Sequence, residues 1–203
     1  MHVSRKTFEH SHPVGLLQPL PIPDRKWESV SMEFIMGLPK SQRKDNIFAV
    51  FDRLTKYAHF FTVLSIISAS EVAALFFKDI FKLHGLPKVI ISDRDSKFTS
   101  AFWQTLFGLV ETNLNMSTSY HPQTYGKTER VNQWIEGYLR NYVTRQQGDW
   151  ETWIHLGELF YNTIFHISTR MTPFMALYGN EAPNFVGLIF GDCRAQKMKY
   201  WLQ

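Results

Sequence analysis

The chain has 203 residues, 44% of them hydrophobic and 15% aromatic, with 22 Lys and Arg against 18 Asp and Glu for a formal charge of +4; this is one ordinary domain with enough apolar material for a core. One cysteine, Cys193, excludes an intrachain disulfide framework and makes an intracellular reducing compartment the default. No apolar run reaches the 18 residues of a membrane span, the N-terminus lacks the apolar core of a signal peptide, and the mild basic excess is compatible with a polyanionic partner without requiring one.

Residues 1–26 carry Pro13, Pro19, Pro21 and Pro23, which forbid regular helix and predict an extended tail. His2, His10 and His12 cluster there, but no Cys pair comes after them to complete a zinc site, and exposure on a frayed terminus accounts for them. Order is expected from Trp27. Val30 to Met36 reads as a strand, closed by Gly37 and Pro39. Asn46 to Phe51 is a continuous apolar run, as in a strand covered on both faces. Asp52 marks a hairpin, and Tyr57 to Leu64 resumes as a third strand.

Ser68-Ala-Ser-Glu71 is a capping box opening a helix, with Val72, Leu75, Phe76, Ile80 and Leu83 on one face and Gly85 and Pro87 as the stop. Lys88 to Ser92 is a short buried strand that ends at Asp93. Ser100 to Val110 reads as an amphipathic helix, Asn113 to Ser117 as a strand and His121 to Gly126 as a polar loop. Thr128 to about Gln146 is a long helix whose apolar stripe is Val131, Trp134, Ile135, Leu139 and Tyr142; Glu129, Gln133, Glu136 and Arg140 lie off it. Helices over Trp150–Phe165 and Thr172–Tyr178 come next, with Pro173 in a tolerated first-turn position. The order β-β-β-α-β-α-β-α-α predicts an α/β domain, a mixed sheet with helices packed on it.

Three acids stand out. Asp93 ends a buried strand of parallel type, where ligand sites of open α/β sheets form, although Asp93 and Asp95 are also ordinary turn formers. Glu129 opens a long helix, where the helix dipole alone favours a carboxylate. Glu33 sits in mid-strand among apolar residues, so its burial calls for a metal or a cationic partner. Asp52 competes as a ligand but fits the hairpin turn better. Three clustered carboxylates suit two divalent ions that cut and join phosphodiesters. No phosphate loop and no nucleophile elbow appears.

Several stretches resemble one family in order and spacing: Trp27-Glu-Ser-Val-Ser-Met-Glu-Phe-Ile35, Asp52-Arg-Leu-Thr-Lys-Tyr-Ala-His-Phe60, His84-Gly-Leu-Pro87, Ser92-Asp-Arg-Asp95, Tyr120-His-Pro-Gln-Thr124, Thr128-Glu-Arg-Val-Asn132, Met171-Thr-Pro-Phe174 and Ala176-Leu-Tyr-Gly179. Over about residues 16–183 the chain resembles the integrase catalytic core of gypsy-type LTR retrotransposons, and more widely of retroviruses. The resemblance implies an RNase H-like fold, a mixed five-stranded sheet flanked by helices, and a triad of Glu33, Asp93 and Glu129 with 35 residues between the last two. It implies Mg²⁺ or Mn²⁺ in a two-metal site, with element ends and target DNA as substrates of 3′-end processing and strand transfer. Homodimerisation through the core and a nuclear location are also implied by it, although no import signal is visible. Lys127, Arg130 and Asn132 would face DNA; Lys127 and Arg130 are equally explained as a solvated helix start.

The departures from the family are specific. Glu33 replaces an Asp, and its extra methylene puts the carboxylate more than about 1 Å out of place or makes the side chain bend to compensate, where catalytic constellations tolerate about 0.5 Å. Tyr125 and Lys127 replace Asp and Gln in the polar loop, and Glu111 and Arg170 stand at usual Gly positions. The expected organisation is a tail over 1–26, a catalytic core over 27–183 and a truncated linker remnant over 184–203, without the family's zinc domain. An integrase core impaired in this copy is the leading reading. A non-catalytic remnant or co-opted nucleic-acid- or protein-binding module of the same fold is the alternative, and a generic RNase H-type nuclease fits the fold but not the motifs.

Overall fold

The computed structural model describes residues 22–92, 95–100, 103–104, 107, 113–116, 133–139 and 149–183. A meander forms first: β1 (Ser29–Ile35), β2 (Asn46–Asp52) and β3 (Ala58–Val63) pair antiparallel, with Glu33 opposite Ala49 and Val50 opposite His59. A helical segment comes next, made of α1 (Ala69–Leu75), a π-helical stretch (Phe76–Phe81) and α2 (Lys82–His84). The strand β4 (Val89–Ser92) then joins β1 in parallel, α3 (Ser96–Thr99) succeeds it, and β5 (Asn113–Met116) joins β4 in parallel. The sheet order is β3-β2-β1-β4-β5, the mixed five-stranded sheet expected. Trp103, Gln104 and Phe107 are helical, as are residues 133–139 (α4); α5 (Trp150–Thr163) and α6 (Pro173–Tyr178) complete the described elements.

Strand side chains alternate between the two faces of a sheet, so β1 feeds two cores. Val30, Met32 and Phe34 pack with Phe48, Val50, Val72, Phe76, Ile80, Phe98, Trp103 and Phe107. Ile35 packs with Ile47, Ala49, Phe51, Ala58 and Phe60 under Ile135, Tyr138 and Leu139 of α4 and Trp150, Ile154, Phe160 and Tyr161 of α5. A strand buried on both faces reads as a continuous apolar run, which explains Asn46 to Phe51. Gln133 and Glu136 are exposed, off the apolar stripe of α4 as expected.

The helix after Ser68 starts as the sequence predicts. Ser68 Oγ accepts from Glu71 N at 3.3 Å and Glu71 Oε2 accepts from Ser68 N at 2.8 Å, closing the capping box. Its far end departs from a simple α-helical face. Val72, Phe76 and Ile80 are buried, but Leu83 is 63% exposed. The π-helical stretch Phe76–Phe81 takes more residues per turn and rotates α2 about the helix axis, turning Leu83 outward and bringing His84 onto Trp27.

Edge strand β3 is covered by side chains of α5. Glu158 Oε2 accepts from Phe60 N at 2.8 Å, Asn162 Oδ1 accepts from Ala58 N at 2.8 Å and Asn162 Nδ2 donates to Ala58 O at 2.8 Å. These side chains replace a neighbouring strand and close the edge to pairing with another chain.

The glycine positions noted in the sequence have one direct readout. Arg170 has φ 55° and its N–H bonds His166 O at 2.8 Å, within a turn bridged from His166 to Met171. A side chain in that left-handed conformation costs about 1–2 kcal/mol, partly offset by the extra chain entropy a glycine would lose on folding. Arg170→Gly is expected to stabilise the protein by about 0.5–1 kcal/mol, read as a rise of about 1–4 °C in the thermal unfolding midpoint; a fall in the midpoint would contradict the strain. Glu111 lies outside the described residues.

Candidate active site

Glu33 lies in β1, the central strand, two residues before its carboxyl end. It is 8% exposed and shares a sheet face with Ile35, the face covered by α4 and α5. Its β2 neighbour on that face is Ala49. Tyr161 of α5 adjoins this region: burial, and secondarily the charge of Glu33, push its phenol above the ordinary tyrosine range. A neutral phenol therefore stands near the carboxylate. The Tyr161 ring meets Phe51 at 6.0 Å, Phe60 at 5.6 Å, Trp134 of α4 at 5.3 Å and His166 at 5.0 Å. Aromatic edges thus join α4, α5 and the sheet around the acid.

The parallel ladder between β1 and β4 has Ser29 opposite Val89 and ends with Met32 opposite Ser92. In sequence, Glu33 comes directly after Met32 and Asp93 directly after Ser92. Asp93, Glu129, Lys127, Arg130 and Asn132 lie outside the described residues. Of the sequence-derived site residues, Glu33 alone is described, and among the described residues no three His, Cys, Asp or Glu side chains are grouped to hold a metal.

Asp52, the competing acid, serves the fold. It is fully buried at the end of β2. Its Oδ1 accepts from Trp27 N at 3.0 Å and Leu54 N at 3.4 Å, and its Oδ2 from Thr55 N at 3.0 Å and Thr55 Oγ1 at 2.6 Å. Four donors on one carboxylate make it the cap of the β2–β3 turn and the anchor of Trp27, which has φ 60°.

A second polar cluster was not legible in the sequence. His59 Nδ1 is 2.9 Å from Glu158 Oε1, His59 Nε2 is 3.0 Å from His84 Nε2, and the Trp27 indole stacks on the His84 ring at 3.7 Å and 6°. Between the two Nε2 atoms one ring donates and the other accepts, so the pair shares a single proton position. Burial, and then the neighbouring His59, depress the His84 pKa to about 4, against a smaller opposing effect of Asp52. The folded value lies below the ordinary 6.5, so the unfolded chain binds the proton first. Stability from this group is complete above about pH 6.5 and is lost as pH falls towards 4. Burial depresses His166 in the same direction. Denaturant midpoints are expected to fall between pH 6.5 and 4, with a shallower fall in His84→Gln; equal slopes would contradict this coupling.

No helix among the described residues is long and apolar enough to cross a membrane. No protein-family model matches the chain. The transposon Tf2-3 and Tf2-4 polyproteins of Schizosaccharomyces pombe (strain 972 / ATCC 24843) are each 39% identical over 162 residues, 80% of this chain and 12% of the polyprotein. The chain thus spans about an eighth of the length of the curated relatives it matches. The fold matches the simian T-cell lymphotropic virus intasome in complex with PP2A regulatory subunit B56 gamma, with a TM-score of 0.65 and 14% identity over 87% of this chain and 62% of that one. It also matches the trimeric HTLV-2 integrase catalytic core domain in complex with magnesium, with a TM-score of 0.58 and 14% identity over 74% of this chain and 95% of that one. The chain belongs to the integrase cores of LTR retrotransposons. Glu33, the first of the three acids that the sequence singles out, lies on the strand and face described above.

Proposed function

We infer that this integrase core acts on DNA by metal-dependent 3′-end processing and strand transfer, with activity reduced in this copy by Glu33. One observation carries the reading: a buried carboxylate in the middle of the central strand, one residue beyond the ladder that leads β4 towards Asp93. A carboxylate is the hard oxygen donor that Mg²⁺ and Mn²⁺ prefer, so Glu33 fits the group in kind. Glu33, Asp93 and Glu129 would hold it, and when bound it neutralises charge developing on the phosphodiester oxygens. The residues of the chain supply the rest. Tyr161, packed against Phe51, Phe60 and Trp134, would keep the local dielectric low on the sheet face that carries Glu33. Tyr161 retains its proton there.

Lys127, Arg130 and Asn132 would contact the DNA, Lys127 and Arg130 by phosphate contacts that position the strand without reading sequence. Element ends and target DNA are the substrates in this reading. The HTLV-2 core, solved with magnesium in trimeric and dimeric forms, supports a divalent metal and self-association as expectations for this chain. A nuclear location is implied by the substrate. The reading is tested by strand joining on branched DNA in Mn²⁺: the wild-type chain yields a low level of product that disappears in Glu33→Ala. A folded protein inactive in both metals, even as Glu33→Asp, would favour a binding module of the same fold.

A further inference from the structure

The β1–β2 connection, residues 36–45, leaves the sheet at the carboxyl end of β1 and ends in a tight turn. Ser41 N donates to Lys44 O at 2.8 Å and Lys44 N to Ser41 O at 2.6 Å. Gln42 and Arg43 between them have φ 44° and 77°. Two consecutive positive φ values define the mirror-image hairpin turn that ordinarily selects Asn-Gly. Here two long side chains occupy it, and strain of this kind persists where the surrounding structure enforces it.

The surroundings do enforce it. Pro39 O accepts from Trp150 Nε1 at 2.5 Å, and the fully buried Ser41 accepts at Oγ from Glu151 N at 3.2 Å. Leu38 packs on the core cluster that contains Ile35 and Trp150. The turn is thereby fixed against the first residues of α5, on the sheet face that carries Glu33. It stands at the sheet end where β1 and β4 both terminate, the end at which open α/β sheets place their ligands.

The cations at this turn are available. Lys40 and Arg43 are exposed, and neither forms an ion pair or hydrogen bond among the described residues. The acids nearby have other partners, although Glu151 Oε2 is buried without one among the described residues. Asp45 accepts from Ser65 N and Oγ at 2.6 and 2.9 Å, Glu151 accepts from Thr62 Oγ1 at 3.3 Å, and Glu71, whose pKa Lys44 helps to lower, closes the capping box of α1. We propose that Lys40 and Arg43, with Gln42 between them, contact backbone phosphates of the DNA that Glu33 would act on. This rests on the reading of the chain as a DNA-processing core. Duplex DNA is the occupant that fits, because an unpaired pair of cations on a rigid turn matches a row of phosphates and needs no sequence readout.

The test is duplex oligonucleotide binding by fluorescence anisotropy across about 50 to 200 mM NaCl, beside the joining assay. Lys40→Ala/Arg43→Ala weakens binding for all sequences and lowers the magnitude of the log K against log salt slope by about 2. Arg43→Gly separates contact from structure: it relieves the positive φ and raises the unfolding midpoint by about 2–4 °C, yet lowers the slope by about 1. An unchanged slope in a double variant that still joins strands overturns this proposal and leaves the proposed function standing. A wild-type chain that neither binds duplex nor joins strands overturns both.

Discussion

Glu33→Asp is expected to raise metal-dependent strand joining by about a hundredfold over the wild-type chain. Glutamate carries its carboxylate about 1.5 Å further from the backbone than aspartate does. Displacements of about 1 Å in a reacting constellation cost roughly 10²-fold in rate. The backbone cannot shift to compensate, because Met32, Glu33 and Phe34 are paired to Val50, Ala49 and Phe48 of β2 and locked between two cores. Shortening the side chain returns the carboxylate towards the strand while keeping its charge, so stability should change little against turnover. Single-turnover joining in Mn²⁺, with saturating DNA, separates the rate from binding. A variant no faster than wild type would mean that the extra methylene is accommodated and that any loss of activity lies elsewhere, with Tyr125 and Lys127 of the polar loop the next substitutions to revert.

Asp52→Ala is expected to destabilise the fold by about 3–5 kcal/mol, a large loss for a single polar side chain. The carboxylate is fully buried and takes four hydrogen bonds, three from backbone N–H groups. Alanine leaves buried donors unsatisfied and removes the tie that holds Trp27 at φ 60°. Trp27 stacks on His84, so the loss spreads to the end of the helical segment. Asp52→Asn keeps the shape but exchanges one acceptor for a donor, and is expected to cost about 1–3 kcal/mol. Urea midpoints at constant m-value report both. A loss below about 1 kcal/mol for the alanine variant would show that the turn does not depend on this carboxylate. A folded Asp52→Asn is also expected to retain wild-type Mn²⁺ affinity, because the Asp52 carboxylate is taken up by four hydrogen bonds of the turn.

Much of the fold was legible because its determinants are local. The capping box Ser68-Glu71, the Thr172-Pro173 helix start and the strand patterns of β1 to β4 act within a few residues, and each element forms where the sequence places it. The mid-strand position of Glu33 also announced a buried acid, and 8% exposure agrees. Arg170 was legible as a glycine position and has the positive φ that such a position imposes. The π-helical stretch was not legible, since Phe76–Phe81 fits an α-helical face equally well until packing selects the wider turn. The contacts His59–Glu158, His59–His84 and Trp150–Pro39 join residues 99, 25 and 111 positions apart, and no local pattern specifies them. The strained Gln42-Arg43 turn was hidden for the same reason: its enforcing partners are on α5. The grouping of Glu33 with Asp93 and Glu129 rests on sequence spacing and on the β1–β4 register up to Met32 and Ser92.

We propose Glu33 as a working metal ligand in a DNA-joining site. The most direct measurement is strand joining on branched DNA in Mn²⁺ by the wild-type chain, Glu33→Asp and Glu33→Ala, each verified as folded. Weak metal-dependent product is expected from wild type, a large gain from Glu33→Asp and none from Glu33→Ala. Product of equal yield from all three, or from none, would contradict the claim.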